Sequence, residues 1–214
     1  MYRYILFDFD GTVFDTLEGI TKSLQLALKR KSMEVSLESL RCFAGPPLLE
    51  KLMEVYNFSE DEAREVIAWF RERYVPIGLY ESRIFPGIDG LLTALKNDGR
   101  KLGITTLKPQ YAAEELLKQS GIIDKFDAVF GTLKDGAGET KQQKIRLAME
   151  AMGAKREETI LVGDTKYDIR GAKEADVSSL GVRYGYGAPG ELEAVGADYI
   201  VDTVEELRSW LLNH

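Results

Sequence analysis

Cysteine and histidine are almost missing from these 214 residues, with one of each, Cys42 and His214. A single cysteine excludes an internal disulfide and any centre built from several thiolates, and it fits a reducing compartment. It is also poorly placed as a phosphatase nucleophile. The cysteine-dependent phosphatases carry an arginine six positions on, and position 48 is Leu48. Burial in a helix is the expectation for Cys42. The one histidine is the terminal residue, where fraying is expected, so acid/base chemistry falls to carboxylates. Long apolar runs are missing too. None approaches 18 residues and nothing at the amino terminus resembles a signal peptide, so no membrane partner and a cytoplasmic location are expected. Positive charge is in the minority, 28 Lys and Arg against 35 Asp and Glu for a net charge of −7, which argues against a general nucleic-acid or anionic-membrane surface. An anion site in such a chain must be made locally electropositive by a cation, a lysine and backbone N–H groups. With 44% apolar and 29% charged residues, and no internal repeat or low-complexity stretch, the composition is that of a folded chain with one large domain or a domain plus an insertion.

What is present is concentrated near the amino terminus. Tyr4-Ile5-Leu6-Phe7 is a near-continuous apolar run of the kind found in buried parallel strands, and Asp8-Phe9-Asp10-Gly11-Thr12 follows it directly. Gly11 predicts a turn there, which crowds Asp8 and Asp10 together at the strand's mouth.

From Thr16 to Arg83 the pattern is helical throughout. Leu17, Ile20, Leu24, Ala27 and Leu28 recur at helical spacing. Residues 36–57 predict two helices broken at Gly45-Pro46-Pro47, and Ser59 with Glu62 makes a capping box ahead of Ala63, Val66, Ile67 and Phe70. Beyond residue 86 short strands alternate with helices. The strands are expected at Lys101–Thr105, Asp127–Gly131, Thr159–Gly163, Ser179–Arg183 and Tyr199–Val201, with helices after Pro86-Gly87, after Pro109, over Lys141–Met152, over Tyr167–Ala175 and over Val204–Leu212. This predicts an α/β fold, a Rossmann-like parallel sheet over 1–14 and 86–214 with an all-helical insertion over 15–85. Ligands of such sheets sit at the carboxyl ends of the strands, where Asp8, Thr106 and Asp164 all fall.

Asp8-Phe9-Asp10-Gly11-Thr12 resembles the first motif of the haloacid dehalogenase superfamily. Gly103-Ile104-Thr105-Thr106-Leu107-Lys108-Pro109 is similar to the second motif of its phosphoglycolate-phosphatase-like members, with Leu107 where asparagine is usual. Leu161-Val162-Gly163-Asp164-Thr165-Lys166-Tyr167-Asp168 resembles the fourth, and the likeness covers essentially the whole chain. The resemblance implies a Mg²⁺-dependent phosphomonoester hydrolase. Asp8 is then the nucleophile that forms an aspartyl-phosphate, and Asp10 the general acid/base whose carbonyl also reaches the metal. It further implies metal ligands at Asp8, Asp10 and Asp164, an orienting role for Asp168, and phosphate contacts at Phe9, Thr106, Leu107 and Lys141. The third-motif lysine has three candidates, Lys134, Lys141 and Lys144. Lys141 is favoured at the entry to a helix, whereas Lys144, a turn further in, reads as a solvated charge. The helical insertion resembles the family's first class of cap, and Gly45, Pro46 and Pro47 its substrate-facing loop, whose closure would exclude water.

A small phosphorylated metabolite is the expected partner, with phosphoglycolate, a nucleoside monophosphate or a sugar phosphate all open, and a monomer or homodimer as the assembly. A sugar-phosphate mutase, a pyrophosphatase and a non-catalytic metabolite-binding module on the same fold stand as alternatives. Gly185-Tyr186-Gly187-Ala188-Pro189-Gly190 matches a dinucleotide fingerprint but follows a late strand and opens too short a helix, so it is read as incidental.

Overall fold

The computed structural model describes residues 1–133 and 138–214. Its strands are β1 (Tyr4–Phe7), β2 (Phe14–Asp15), β3 (Arg83–Ile84), β4 (Lys101–Pro109), β5 (Ala128–Thr132), β6 (Thr159–Gly163), β7 (Ser178–Val182) and β8 (Tyr199–Val201). Its α-helices are α1 (Leu17–Lys29), α2 (Leu48–Tyr56), α3 (Glu60–Tyr74), α4 (Ile88–Asn97), α5 (Gln110–Gln119), α6 (Lys141–Met152), α7 (Lys166–Ala175), α8 (Glu191–Ala194) and α9 (Val204–Asn213). No described helix is long and apolar enough to cross a membrane.

The chain divides into two compact units, one of Met1–Phe14 with Ile84–His214 and one of Asp15–Arg83. In the first, the described residues form a six-stranded sheet in the order β5-β4-β1-β6-β7-β8, parallel at every pairing. Strand β1 therefore lies between β4 and β6. The chain fills one side of β1 with β4 and β5, then crosses back through α6 to build β6, β7 and β8 on the other. That reversal next to β1 is where the carboxyl ends of neighbouring strands open a crevice.

The central strands are apolar because both of their faces are covered. Ile5, Leu6 and Phe7 point alternately to opposite faces and all are fully buried, as are Ile160, Leu161 and Val162 of β6. On one face Leu6 and Leu161 pack with Ile145, Met149 and Met152 of α6 and Ala172 of α7. Each such aliphatic side chain contributes about 1.5–3 kcal/mol through burial. The predicted strand at Lys101–Thr105 runs on to Pro109, with a shift of register against β5 between Thr105 and Pro109. Within that irregular stretch the Lys108 N–H donates to Thr106 Oγ1 at 3.1 Å.

The second unit is helical between β2 and β3, two short strands that the sequence reading did not anticipate and that pair with each other. Helix α1 buries Leu24, Ala27 and Leu28, and α3 buries Ala63, Val66 and Phe70. The expected capping box is formed at α3. Ser59 Oγ accepts from the Glu62 N–H at 3.3 Å, and the Glu62 carboxylate accepts from the Ser59 N–H at 2.9 Å. Of the two helices expected over 36–57, only the second is an α-helix, α2; Glu38–Phe43 is a 3-10 helix. Cys42 at its end is exposed rather than buried, because Leu40 and Phe43 take the inward positions. His214 is tied down rather than frayed. Its ring stacks on Trp210 at 4.2 Å, and its carbonyl accepts from the Tyr2 N–H at 2.9 Å.

At the end of β6 the backbone of Gly163 passes so close to α7 that an added Cβ would lie 2.3 Å from Asp168 Cβ. Gly163→Ala should therefore destabilise the protein by about 1–3 kcal/mol, the usual cost of overpacking. The check is a urea titration, in which the midpoint should fall at constant slope. An unmoved midpoint would show that α7 yields freely at this contact.

Candidate active site

Strands β1 and β6 end one residue before Asp8 and Asp164, and β4, on the other side of β1, carries Thr106. Each side chain is thus delivered by a neighbouring strand to the same edge of the sheet. After Phe7 the chain turns tightly. The Phe9 carbonyl accepts from the N–H groups of Val13 at 3.0 Å and Phe14 at 2.9 Å, and Gly11 N–H donates to the Phe14 carbonyl at 2.8 Å. Gly11 has φ +84, a conformation that favours glycine, and an added Cβ would lie 2.1 Å from Asp164 Oδ2. The glycine in this turn is what lets Asp164 approach the loop that carries Asp8 and Asp10.

Helix α6 supplies the cation. Thr140 caps it through Gln143, and Lys141, its first residue, is buried. Lys141 Nζ donates to Asp8 Oδ1 at 2.5 Å and lies 2.7 Å from Asp168 Oδ1. A cation at a helix N-terminus opposes the macrodipole, so the two carboxylates rather than the helix hold it there. Asp168 is itself fixed, because its Oδ2 accepts from the Thr165 N–H at 3.0 Å and the Thr165 hydroxyl at 2.9 Å. Asp164 accepts from the Thr12 hydroxyl on Oδ1 at 3.1 Å and from the Tyr186 N–H on Oδ2 at 2.7 Å.

Asp8, Asp164 and Asp168 are all buried and offer carboxylate oxygens within 4.8 Å of one another. Burial drives the Asp8 carboxyl up to about 7, with Lys141 opposing the rise and Asp168 and Asp10 adding to it. Burial likewise holds Asp164 well above the usual carboxylate range, helped by the charges of Asp168 and Asp8. Burial works against the Lys141 charge, yet Asp168 and Asp8 outweigh it and keep the ammonium above its ordinary range. One lysine among three buried carboxylates leaves negative charge uncompensated. A hard divalent cation that takes oxygen ligands would relieve it, so the donor set fits Mg²⁺.

The structure brings Asp8, Lys141, Asp164 and Asp168 together directly. Asp10 lies in the same turn, buried, with its Oδ1 accepting from Lys108 Nζ at 2.9 Å. Thr106 is buried in β4 and accepts from the Lys108 N–H. Phe9 turns its ring into the core, stacked on Phe14 at 4.5 Å, and the Leu107 carbonyl accepts from the Thr132 hydroxyl at 3.4 Å. Gly45, Pro46 and Pro47 belong to the helical unit, where they join the 3-10 helix to α2 and Gly45 has φ +100. Of the other two candidate lysines, Lys134 lies outside the described residues. Lys144 is not a solvated charge. It is buried and paired with Glu139, and burial pulls its ammonium below its ordinary range.

Two features escaped the sequence reading. Lys108 carried a usable signal, since it stands two residues from Thr106 on a strand, where side chains two apart share a face. The start of the Gly185–Gly190 pattern, read from sequence as incidental, lies against Asp164 through Gly185, Tyr186 and Gly187, and Tyr184 stands just before it. An added Cβ on Gly185 would sit 2.3 Å from Asp164 Cβ, and Tyr184 donates its hydroxyl to the Thr12 carbonyl at 2.9 Å. Its usable signal was position, just past the carboxyl end of β7, the strand beside β6.

Residues 5–182 match the family described as haloacid dehalogenase-like hydrolase. The chain is similar to a 5'-nucleotidase of Pseudomonas aeruginosa, 39% identical over 214 residues that cover 100% of this chain and 97% of the relative. It is similar to a plasmid phosphoglycolate phosphatase of Cupriavidus necator, 27% identical over 97% of this chain and 92% of the relative. A crystal structure of a predicted phosphatase from Clostridium acetobutylicum superposes with a TM-score of 0.96 at 40% identity, covering 100% of both chains.

The raised Asp8 carboxyl has a consequence for stability. Without metal, the folded protein holds a proton that the unfolded chain releases near pH 4, so this group's contribution is full below about pH 4 and is lost as pH rises through about 7. Asp8→Asn removes the penalty. In excess chelator at about pH 8 the variant should melt several degrees above wild type, at ~2–4 °C per kcal/mol for a chain of this length, with the gap closing by about pH 4. Circular dichroism melts provide the check, and a variant that melts lower at the alkaline end contradicts the assignment.

Proposed function

We propose that this chain, which belongs to the haloacid dehalogenase-like hydrolase family, hydrolyses small phosphomonoesters through a covalent intermediate on Asp8. The observation that carries this reading is the Lys141 ammonium held between Asp8 and Asp168 at 2.5 and 2.7 Å, beside the buried carboxyl of Asp164, at the switch point of a parallel sheet. A buried nucleophilic carboxylate needs a partner that keeps it ionised and draws a phosphate dianion toward it, and the short contact of Lys141 with Asp8 supports assigning it both tasks.

In the first step an Asp8 carboxylate oxygen attacks phosphorus while the bond to the ester oxygen breaks. Asp10, as general acid, passes a proton to that oxygen, and the alcohol departs. In the second step water attacks the phosphorus of the aspartyl-phosphate and passes a proton to the Asp10 carboxylate. The bond from phosphorus to Asp8 breaks, and inorganic phosphate leaves. Lys141, the Thr106 hydroxyl and the backbone N–H groups of Phe9 and Leu107 are assigned to the phosphoryl oxygens. Asp8, Asp164 and the Asp10 carbonyl are assigned to Mg²⁺, which supplies charge neutralisation at the phosphoryl group when bound. Asp168 keeps Lys141 aimed at the nucleophile. The likeness to a 5'-nucleotidase puts nucleoside 5'-monophosphates first among candidate substrates.

The test is phosphate release from a panel containing nucleoside 5'-monophosphates, phosphoglycolate and p-nitrophenyl phosphate. Asp8→Asn should abolish turnover within assay limits. Asp10→Asn should lose roughly 10²- to 10⁴-fold on alkyl esters and less in the first step on the aryl ester, whose leaving group needs little protonation. It should also accumulate phosphoenzyme, seen as a nitrophenolate burst or a mass increase. Equal losses on both ester types with no phosphoenzyme would make Asp10 structural.

Chelation provides a separate check. Excess EDTA should remove turnover and lower the melting temperature, and added Mg²⁺ should restore both. Turnover that persists in chelator removes the metal from the reaction.

A further inference from the structure

Lys108 is a buried charge beside the proposed catalytic groups to which the mechanism above gives no task. Lys108 is 7% exposed, comes from β4, and directs Nζ to Asp10 Oδ1 at 2.9 Å while lying 5.6 Å from the centre of the Phe9 ring. An ammonium on a long flexible stem is rarely buried without a partner, and here it meets a carboxylate on one side and an aromatic face on the other. The Phe9 ring is itself immobilised by its stack on Phe14, and the Lys108 main chain is held by its N–H bond to Thr106 Oγ1. Gln110, two residues on, laces the end of β4 to β5, accepting from the Gly131 N–H at 2.6 Å and donating to the Val129 carbonyl at 2.9 Å. The ammonium is therefore positioned by two strands and an aromatic pair, in a stretch where β4 departs from regular pairing.

We infer that Lys108 is the positioning residue for Asp10. It anchors one carboxyl oxygen so that the proton passes through the other, and it keeps this carboxylate away from Lys141. The second point follows from charge. Asp10 stands two residues from Asp8 in the same turn, and Lys141 already serves Asp8 at 2.5 Å and Asp168 at 2.7 Å, so a third carboxylate drawing on the same ammonium would pull it off the line between those two. With a lysine of its own, Asp10 leaves Lys141 to the nucleophile. Lys108 thus acts through geometry, on the proton step and not on the affinity for the phosphoryl group. This inference rests on the reading of Asp10 as the proton carrier.

The test compares Lys108→Met, which keeps the apolar stem and drops the charge, with Lys108→Arg, which restores a donor. On a nucleoside 5'-monophosphate, Lys108→Met should lower kcat by roughly ten- to a hundred-fold with KM moved by less than about three-fold, and Lys108→Arg should recover a substantial part. On p-nitrophenyl phosphate the nitrophenolate burst should survive in Lys108→Met while steady turnover falls. The decisive measurement is a double-mutant cycle. If Lys108 acts through Asp10, Lys108→Met should cost nothing further in an Asp10→Asn background, whereas a general weakening of the fold would cost the same in both. Melting curves of all four proteins separate loss of folding from loss of function. A rise in KM with kcat unchanged would make Lys108 a substrate contact, and additive losses in the cycle would make it structural. Either result overturns the proposal. Wild-type protein that turns over no phosphoester overturns the reading of Asp10, and this one with it. Wild-type turnover with Lys108→Met indistinguishable from wild type overturns the positioning role alone.

Discussion

A buried lysine between two buried carboxylates is the constraint on which this architecture turns. Taking Lys141, Asp8 and Asp168 out of water is costly for each alone, and the arrangement is tolerable only because the ammonium reaches both acids at 2.5 and 2.7 Å and Asp168 is satisfied again by Thr165. These three residues come from the end of β1, the start of α6 and the first turn of α7. A rigid sheet with well-capped helices is what holds such distant parts of the chain to hydrogen-bonding distance. The capping box at Thr165 therefore serves two ends at once, finishing α7 and fixing the Asp168 carboxylate, while the one at Thr140 finishes the helix start that carries Lys141.

The same corner of the molecule is out of electrostatic balance. Four aspartates, Asp8, Asp10, Asp164 and Asp168, share two lysines, Lys141 and Lys108. Burial with too few cations is why Asp8 and Asp164 resist ionisation. A fold selected for stability alone would not collect acids in this way, and strain of this kind belongs to sites that await a cation or a charged ligand. Membership in a family of hydrolases accords with that view. The glycines nearby answer to the same crowding, since Gly11, Gly163 and Gly185 stand where a side chain would collide with Asp164 or Asp168.

Much of the fold was legible because its signals are local. An apolar run broken by Asp-x-Asp-Gly marks the first strand and its turn, and a Ser or Thr three residues before Glu, Gln or Asp marks a helix start. Strand β6 and helix α6 fall where periodicity placed them. The misjudged positions depend on partners remote in sequence. Lys144 looks like a solvated helix charge until Glu139 and its burial are seen. Cys42 looks like a core residue until Leu40 and Phe43 take the inward face. His214 looks loose until Trp210 and Tyr2 hold it.

The order of the motifs, the alternation of strand and helix and the placement of aspartates after strands were determined by the sequence itself. Each depends on residues within a few positions of one another, and backbone sterics and side-chain period act at that range. Only the tertiary structure decided which charges meet. That Lys141 bridges Asp8 and Asp168, that Lys108 belongs to Asp10, and that Tyr186 N–H reaches Asp164 follow from the strand order β5-β4-β1-β6-β7-β8. Strand order is a long-range choice, made by the burial of whole faces, and ion pairs across 98 and 133 residues are its by-products.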